Sequence, residues 1–302
     1  MTPVSAELVG WLDERLAAAG RRRTGEVEVP RERPWGTVLR TDTDAGGVWL
    51  KMPAPTTAFE VELYPVLHRL APHQVLAPIA ADPPLGRLLL PDGGPALRDA
   101  FTGDELDEAL IKILPRYAEL QRSLMPAVDE LLDIGVADMR PAVLPERFEE
   151  ALEAASIAGD VRAVHARRSW FADVAAALAD SRVPPSLDHA DLHPGNIFAD
   201  GGRFFDWGDS VVAHPFASML VTLRGATDDR LRDAYLEPFT DLAPRQELLA
   251  DLRNAMIAGN VIRALTWHRA VVIAGYEHAG AFATGPATHM NQLLAAAPWT
   301  CP

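Results

Sequence analysis

The chain has 302 residues, 48% of them hydrophobic and 23% charged, with a formal net charge of −14. Such length and composition describe one large or two moderate globular domains. The acidic balance excludes nucleic acid as the main partner, because phosphate backbones want a basic surface, and the lack of any long apolar run excludes a membrane-spanning helix.

In chain order, Ser5 to Ala19 reads as an amphipathic helix with Ser5 as N-cap, Leu8, Trp11, Leu12 and Leu16 as its apolar stripe, and Gly20 as its stop. Strands are predicted at 26–29, 37–40 and 48–52, with Pro30 to Gly36 as a loop and Asp42 to Gly47 as a turn. A helix over 59–70 buries Phe59, Leu63, Val66, Leu67 and Leu70 on one face. Two more strands follow at 75–80 and 87–90. Pro91-Asp92-Gly93-Gly94-Pro95 then breaks all periodicity, which places a division between residues 1–92 and 93–302. Beyond it the chain reads as helical over 104–125, 145–158, 162–179, 228–240 and 245–276. The stretch from Pro184 to Pro215 interrupts the helices. The fold class is α+β: a small strand-rich half, a short hinge and a larger, mostly helical half.

The N-terminus from Met1 to Ser5 lacks the features of a signal peptide. The lone cysteine, Cys301, permits no internal disulfide. Both lead to the expectation of a cytoplasmic protein with no membrane partner.

The interrupting stretch carries the chemistry. It contains Ser186-Leu-Asp-His-Ala-Asp-Leu-His-Pro-Gly-Asn-Ile197 and, shortly after, Phe204-Phe-Asp-Trp-Gly-Asp209. Phosphoryl transfer needs an acceptor hydroxyl held in line, a carboxylate to orient it and take its proton, and metal on the phosphates. Asp191 is placed for the acceptor. Asn196 and Asp206 offer the hard oxygen ligands that magnesium prefers. His189 reads as a brace for the loop, and His193 and His214 as structural. Their spacing matches no zinc site.

His189-Ala-Asp191-Leu-His-Pro-Gly-Asn196 resembles the catalytic loop of the aminoglycoside phosphotransferase and choline kinase family, and Phe205-Asp206-Trp207-Gly208 resembles its metal motif. The resemblance implies a bilobal protein-kinase-like fold that uses ATP and Mg2+. It implies that Lys51 holds the nucleotide phosphates and that Glu60, or alternatively Glu62, pairs with that lysine. The hinge Leu88-Leu-Leu-Pro-Asp-Gly-Gly94 would hold adenine through backbone groups near Leu90 to Asp92. One departure is the first strand connection, which carries a single glycine where protein kinases have a Gly-rich loop.

Overall length, the hinge and the Asp-Trp-Gly-Asp sequence are similar to the actinobacterial glucosamine kinase branch of the family. That likeness implies glucosamine, a small-molecule amino sugar, as acceptor and glucosamine 6-phosphate as product. The rivals are an aminoglycoside phosphotransferase and a kinase for another sugar or amino alcohol. A non-catalytic nucleotide-binding pseudokinase is a reading of another class. It sits poorly with four intact polar positions: Lys51, Asp191, Asn196 and Asp206. Asp209, Trp267, His268, Glu277, Gln292 and Trp299 have the right chemistry for the acceptor and the right place in the chain. Four of them also have a plainer reading: Asp209 as a turn residue, Trp267 and His268 as part of a long helix where an aromatic is usually core, and Trp299 as a packing anchor for the tail. The sequence leaves oligomeric state open.

Overall fold

The structure is a computed structural model and describes residues 4–226 and 228–295. Trp299 and Cys301 therefore lie outside the described residues. Helix α1 (Ala6–Ala18) starts where the Ser5 hydroxyl accepts the Leu8 N–H at 3.2 Å. A five-stranded antiparallel sheet follows, built from β1 (Glu28–Arg33), β2 (Gly36–Thr43), β3 (Gly46–Pro53), β4 (Ala80–Asp82) and β5 (Arg87–Pro91) in the order β1-β2-β3-β5-β4. Helix α2 (Phe59–Leu70) is inserted between β3 and β4.

Strand alternation decides which side chain goes where. Val48 and Leu50 of β3 join Leu39, Leu89 and the stripe of α1 in one small core. Their neighbour Lys51 therefore faces the opposite side of the sheet. It pairs in register with Leu88, which packs in the same cluster as α2.

Two local expectations are corrected. Residues 30–33 belong to β1, because Arg31 and Glu32 pair with Val38 and Thr37, and only Pro34 and Trp35 make the turn. The charged run misreads as loop because β1 is an edge strand, where polar side chains and a proline beside a register shift are both tolerated. The predicted strand at 75–80 is displaced: only Ala80 belongs to a strand, β4, which runs on to Asp82. Val75 and Leu76 are buried as core filler without pairing, and Pro78 has no N–H for a ladder.

The second half contains α3 (Leu97–Ala100), α4 (Asp104–Leu124), α5 (Val128–Asp133), α6 (Leu144–Ala158), α7 (Arg168–Ala179), α8 (Met219–Thr222), α9 (Asp229–Leu236), α10 (Arg245–Val271) and α11 (Gly285–Gln292). Residues 162–167 and 237–239 are 3-10 turns where longer α-helices were expected, and α10 stops before Gly275, which has φ +81°. A small sheet of β6 (Ala137–Asp138), β7 (Ser186–Asp188) and β8 (Val211–Ala213) is set among these helices, in the order β6-β8-β7. Because β7 and β8 are antiparallel neighbours with Leu187 opposite Val212, the chain between them must double back. That excursion, residues 189–210, contains both chemical motifs. One large apolar cluster runs from α2 through the helical half. Among the described residues no helix is long and apolar enough to cross a membrane.

Candidate active site

Three chain segments meet at Lys51. Its ammonium donates to Glu60 Oε1 at 2.7 Å and also to Asp206 Oδ1. Glu60 is fully buried at the start of α2. Glu62 is exposed, as a two-residue step of about 200° around a helix requires. Glu60 is thus the lysine's partner in this structure. Glu60 Oε1 also accepts the Trp207 N–H at 3.0 Å, which ties α2 to the turn after Asp206.

Burial opposes the charge on Lys51, yet Asp206 and Glu60 together raise its pKa. Lys51 holds the Asp206 carboxyl below its ordinary value. Burial pushes Glu60 up against the pull of Lys51. Asp206 sits in the left-handed region at φ +65°, an uncommon place for a residue with a side chain. Gly208 follows close by: a Cβ there would lie 3.2 Å from Glu60 Oε2.

The loop around Asp191 is held from below. Asp188, buried at the end of β7, accepts N–H groups from Ala190 and Ser218, both at 2.8 Å. Those bonds hold Ala190 at φ +61° and so aim the next residue, Asp191. Burial lifts the Asp188 carboxyl to about 7, against the bonds from Ser218. The His189 N–H donates to the Tyr117 hydroxyl at 3.0 Å, its Nε2 lies 2.9 Å from the Phe205 carbonyl, and its ring packs on Trp207. Burial lowers its pKa. His189 thus braces the two motifs against each other.

Asn196 Nδ2 donates to the Asp191 backbone carbonyl at 3.0 Å, and that bond fixes which end of the amide is left as oxygen. The Phe205 N–H returns to the Asn196 carbonyl at 3.0 Å, bringing the two motifs side by side. His193 caps the same turn, its Nδ1 accepting the Gly195 N–H at 2.9 Å.

The Asp191 carboxyl is raised to about 7 by burial, with Arg263 pulling it down and Asp209 and Asp206 pushing it up. Arg263 comes from the middle of α10. It reaches Asp191 Oδ1 at 3.1 Å and Asp209 Oδ2 at 2.8 Å. Six residues on, the Arg269 guanidinium donates to the Gly208 carbonyl at 3.2 Å and lies over the Phe59 ring.

The remaining predicted residues scatter. Trp267 joins Arg263 in a cation–π contact and packs with Trp35 and Phe282. His268 points elsewhere, with Nδ1 at 2.7 Å from the Tyr276 hydroxyl. The Glu277 side chain is 72% exposed and meets only His278 as an ion partner among the described residues. Gln292 is exposed at the end of α11. At the hinge, Leu90 is buried opposite Trp49, and the Asp92 N–H already donates to the Gly47 carbonyl at 2.9 Å. An adenine edge therefore cannot use that amide, and Pro91 has none.

Sequence reasoning missed Asp188, Ser218, Tyr117 and Arg263. Arg263 did leave a signal, because it is a charged residue between Val261-Ile262 and Ala264-Leu265, and buried charges need partners.

Asn196 and Asp206 suit a magnesium ion. Each offers oxygen, Asp206 has a carboxylate 41% exposed beside the lysine, and the Asn196 amide is oriented by its bond to the loop. Among the described residues no group of three or more His, Cys, Asp or Glu could hold a metal ion alone. That donor set is the one expected for an ion which keeps waters and takes further ligands from substrate phosphates.

The model of the phosphotransferase enzyme family matches residues 36–248. Solved structures similar to this one include a macrolide 2'-phosphotransferase type I, at 17% identity and TM-score 0.62, covering 98% of this chain and 100% of that one. The choline kinase LicA from Streptococcus pneumoniae matches at 15% identity and TM-score 0.63, covering 96% and 99%. The GDP complex of aminoglycoside 2'-phosphotransferase-IIIa matches at 12% identity and TM-score 0.62, covering 95% and 98%. No curated protein sequence matches the chain.

Proposed function

The chain belongs to the phosphotransferase enzyme family, and from that premise we propose that it transfers the γ-phosphate of ATP to a hydroxyl of a small molecule, most readily to glucosamine. The observation that carries the transfer reading is the convergence of Lys51, Glu60 and Asp206 beside Asp191 and Asn196. Residues 1–92 would form the nucleotide lobe and 93–302 the catalytic and acceptor lobe.

In this reading Lys51, fixed by Glu60, places its charge on the nucleotide phosphates. Adenine lies against the hinge from Leu90 to Asp92, bonding to groups other than the Asp92 amide. Asn196 and Asp206 would hold Mg2+, and the ion would supply neutralising charge to the phosphates. Asp191 orients the acceptor hydroxyl and accepts its proton as the oxygen attacks phosphorus and the bond to the ADP leaving oxygen breaks. A carboxyl lifted to about 7 by burial suits a base working near neutrality.

The preference for glucosamine rests on the likeness of the hinge and of Asp206-Trp-Gly-Asp209 to the glucosamine kinase branch. An amino group near Asp209 would share its carboxylate with Arg263. The competing acceptors are those named for the similar structures: macrolides, aminoglycosides and choline.

The test is kcat/KM for glucosamine, N-acetylglucosamine, glucose, choline, kanamycin and a macrolide at fixed ATP and magnesium. Glucosamine should lead, and acetylation should cost activity by removing charge and adding bulk. A lead for kanamycin, a macrolide or choline would replace the acceptor and keep the kinase. No transfer to any of them, with ATP bound, would favour the pseudokinase.

A further inference from the structure

We propose that Arg263 is a positioning residue for phosphoryl transfer, gripping the Asp191 carboxylate from behind while Asp209 anchors the guanidinium. The inference rests on the reading of Asp191 as the group that handles the acceptor.

Helix α10 is buried almost throughout its middle, with Met256, Ile257, Val261, Ile262, Ala264 and Leu265 all in the core. An arginine in that company is costly unless its charge is matched. The Arg263 side chain is only 6% exposed, and it is matched twice. Its Nη2 lies 3.1 Å from Asp191 Oδ1, and its Nη1 lies 2.8 Å from Asp209 Oδ2. Its Nε has no hydrogen-bond partner, so the two carboxylates account for its orientation.

Two further features hold the guanidinium in place. It lies over the Trp267 ring, 5.4 Å from the centroid. That ring is itself wedged by Phe282, stacked at 5.5 Å, and by Gly285, where a Cβ would come within 2.6 Å of it. Asp209 ends the 3-10 turn that begins one residue after Asp206. One planar fork thus links the loop of Asp191, the turn of Asp206 and the helix on the acceptor side. A lysine could not reproduce that geometry, because an ammonium is a point charge without the two-pronged fork.

A plain structural staple between α10 and the turn would look the same at rest. It would differ in kinetics. A staple supports nucleotide binding and stability alike, whereas a positioning residue acts on the chemical step through Asp191.

The experiment compares wild type, Arg263→Lys, Asp209→Asn and the double variant, with Asp191→Asn as reference and glucosamine as acceptor, or kanamycin if the panel ranks it first. Each protein is checked by thermal melting and nucleotide titration. Arg263→Lys should lower kcat by about 10- to 100-fold, the scale of a small misplacement of a reacting group, with nucleotide affinity kept within about threefold. Asp209→Asn should lower kcat by a smaller factor. The double variant should be no worse than Arg263→Lys, since both act through one link.

A kcat within about twofold of wild type in either single variant, well below the misplacement scale, overturns the inference. So does a kcat loss matched by an equal loss of nucleotide affinity. If Arg263→Lys does not fold, Asp209→Asn decides by the same criteria. An inactive Asp191→Asn beside a fully active Arg263→Lys overturns this inference alone; an active Asp191→Asn overturns the reading of Asp191 together with it.

Discussion

On the proposed reading, the end of the site that would take the phosphates and the end that would take the acceptor are built on different plans. At the phosphate end, Lys51, Glu60, Asp206 and the Trp207 amide bind one another directly, drawn from a strand, a helix start and a turn. At the acceptor end, two arginines of one long helix reach the loops, Arg263 to Asp191 and Asp209 and Arg269 to the Gly208 carbonyl, and most other candidates face elsewhere. The phosphate end holds itself together before any ligand arrives. The acceptor end depends on how α10 lies against the loops, a packing relation that neighbouring helices also influence.

The largest effect that could break this contrast concerns Lys51. Lys51→Met leaves Glu60 buried without its counter-charge, and breaking a buried pair in this way costs about 3–5 kcal/mol. Denaturant unfolding should show the loss, and ATP affinity should fall far more than adenosine affinity. A variant as stable as wild type would mean that the phosphate end is not held by its own ion pairs.

Asp191→Asn tests the boundary between the two ends. Its kcat should fall by about 100-fold or more, the scale of removing a general base, while ATP binding measured by titration stays near wild type. Lost ATP binding would place Asp191 with the phosphate group rather than the acceptor.

Gly93→Ala probes the hinge between them. A Cβ at Gly93 would meet the Phe198 ring at 2.4 Å. Such overpacking costs about 1–3 kcal/mol, which thermal unfolding should register with little change in the acceptor KM. The smallest effect belongs to Glu277→Gln. Its exposed side chain takes no part in the Arg263 link, so kcat/KM for glucosamine should change by less than about twofold, the range of a screened surface pair. A tenfold loss, about 1.4 kcal/mol, would extend the acceptor end to the segment after α10.

The excursion that carries Asp191, Asn196 and Asp206 was legible in the chain because its residues are close in sequence. Asp191 and Asn196 sit on one loop, and Asp206 follows Phe205, whose N–H returns to the Asn196 carbonyl. Lys51 was legible only through its place in the motif order that the family resemblance supplies; the strand alternation with Val48 and Leu50 that sends it to the far face is seen in the structure. The choice between Glu60 and Glu62 was not, because both lie in the first turn of α2 and only the direction of that helix decides which one is buried.

By itself the sequence determined the α+β fold class, the places of the longer helices, and the residue types needed for phosphoryl transfer. Turn chemistry, periodicity and short-range spacing are properties of neighbours in the chain. Only the tertiary structure decided that Arg263 joins Asp191 to Asp209, that Asp188 and Ser218 prop the loop beneath them, and that Glu277 and Gln292 point to solvent. Those relations join residues up to 72 positions apart, as between Arg263 and Asp191, where 263 − 191 = 72. A charge buried in a helix declares in the sequence that it needs a partner, but which partner it finds is set by how helices and loops pack.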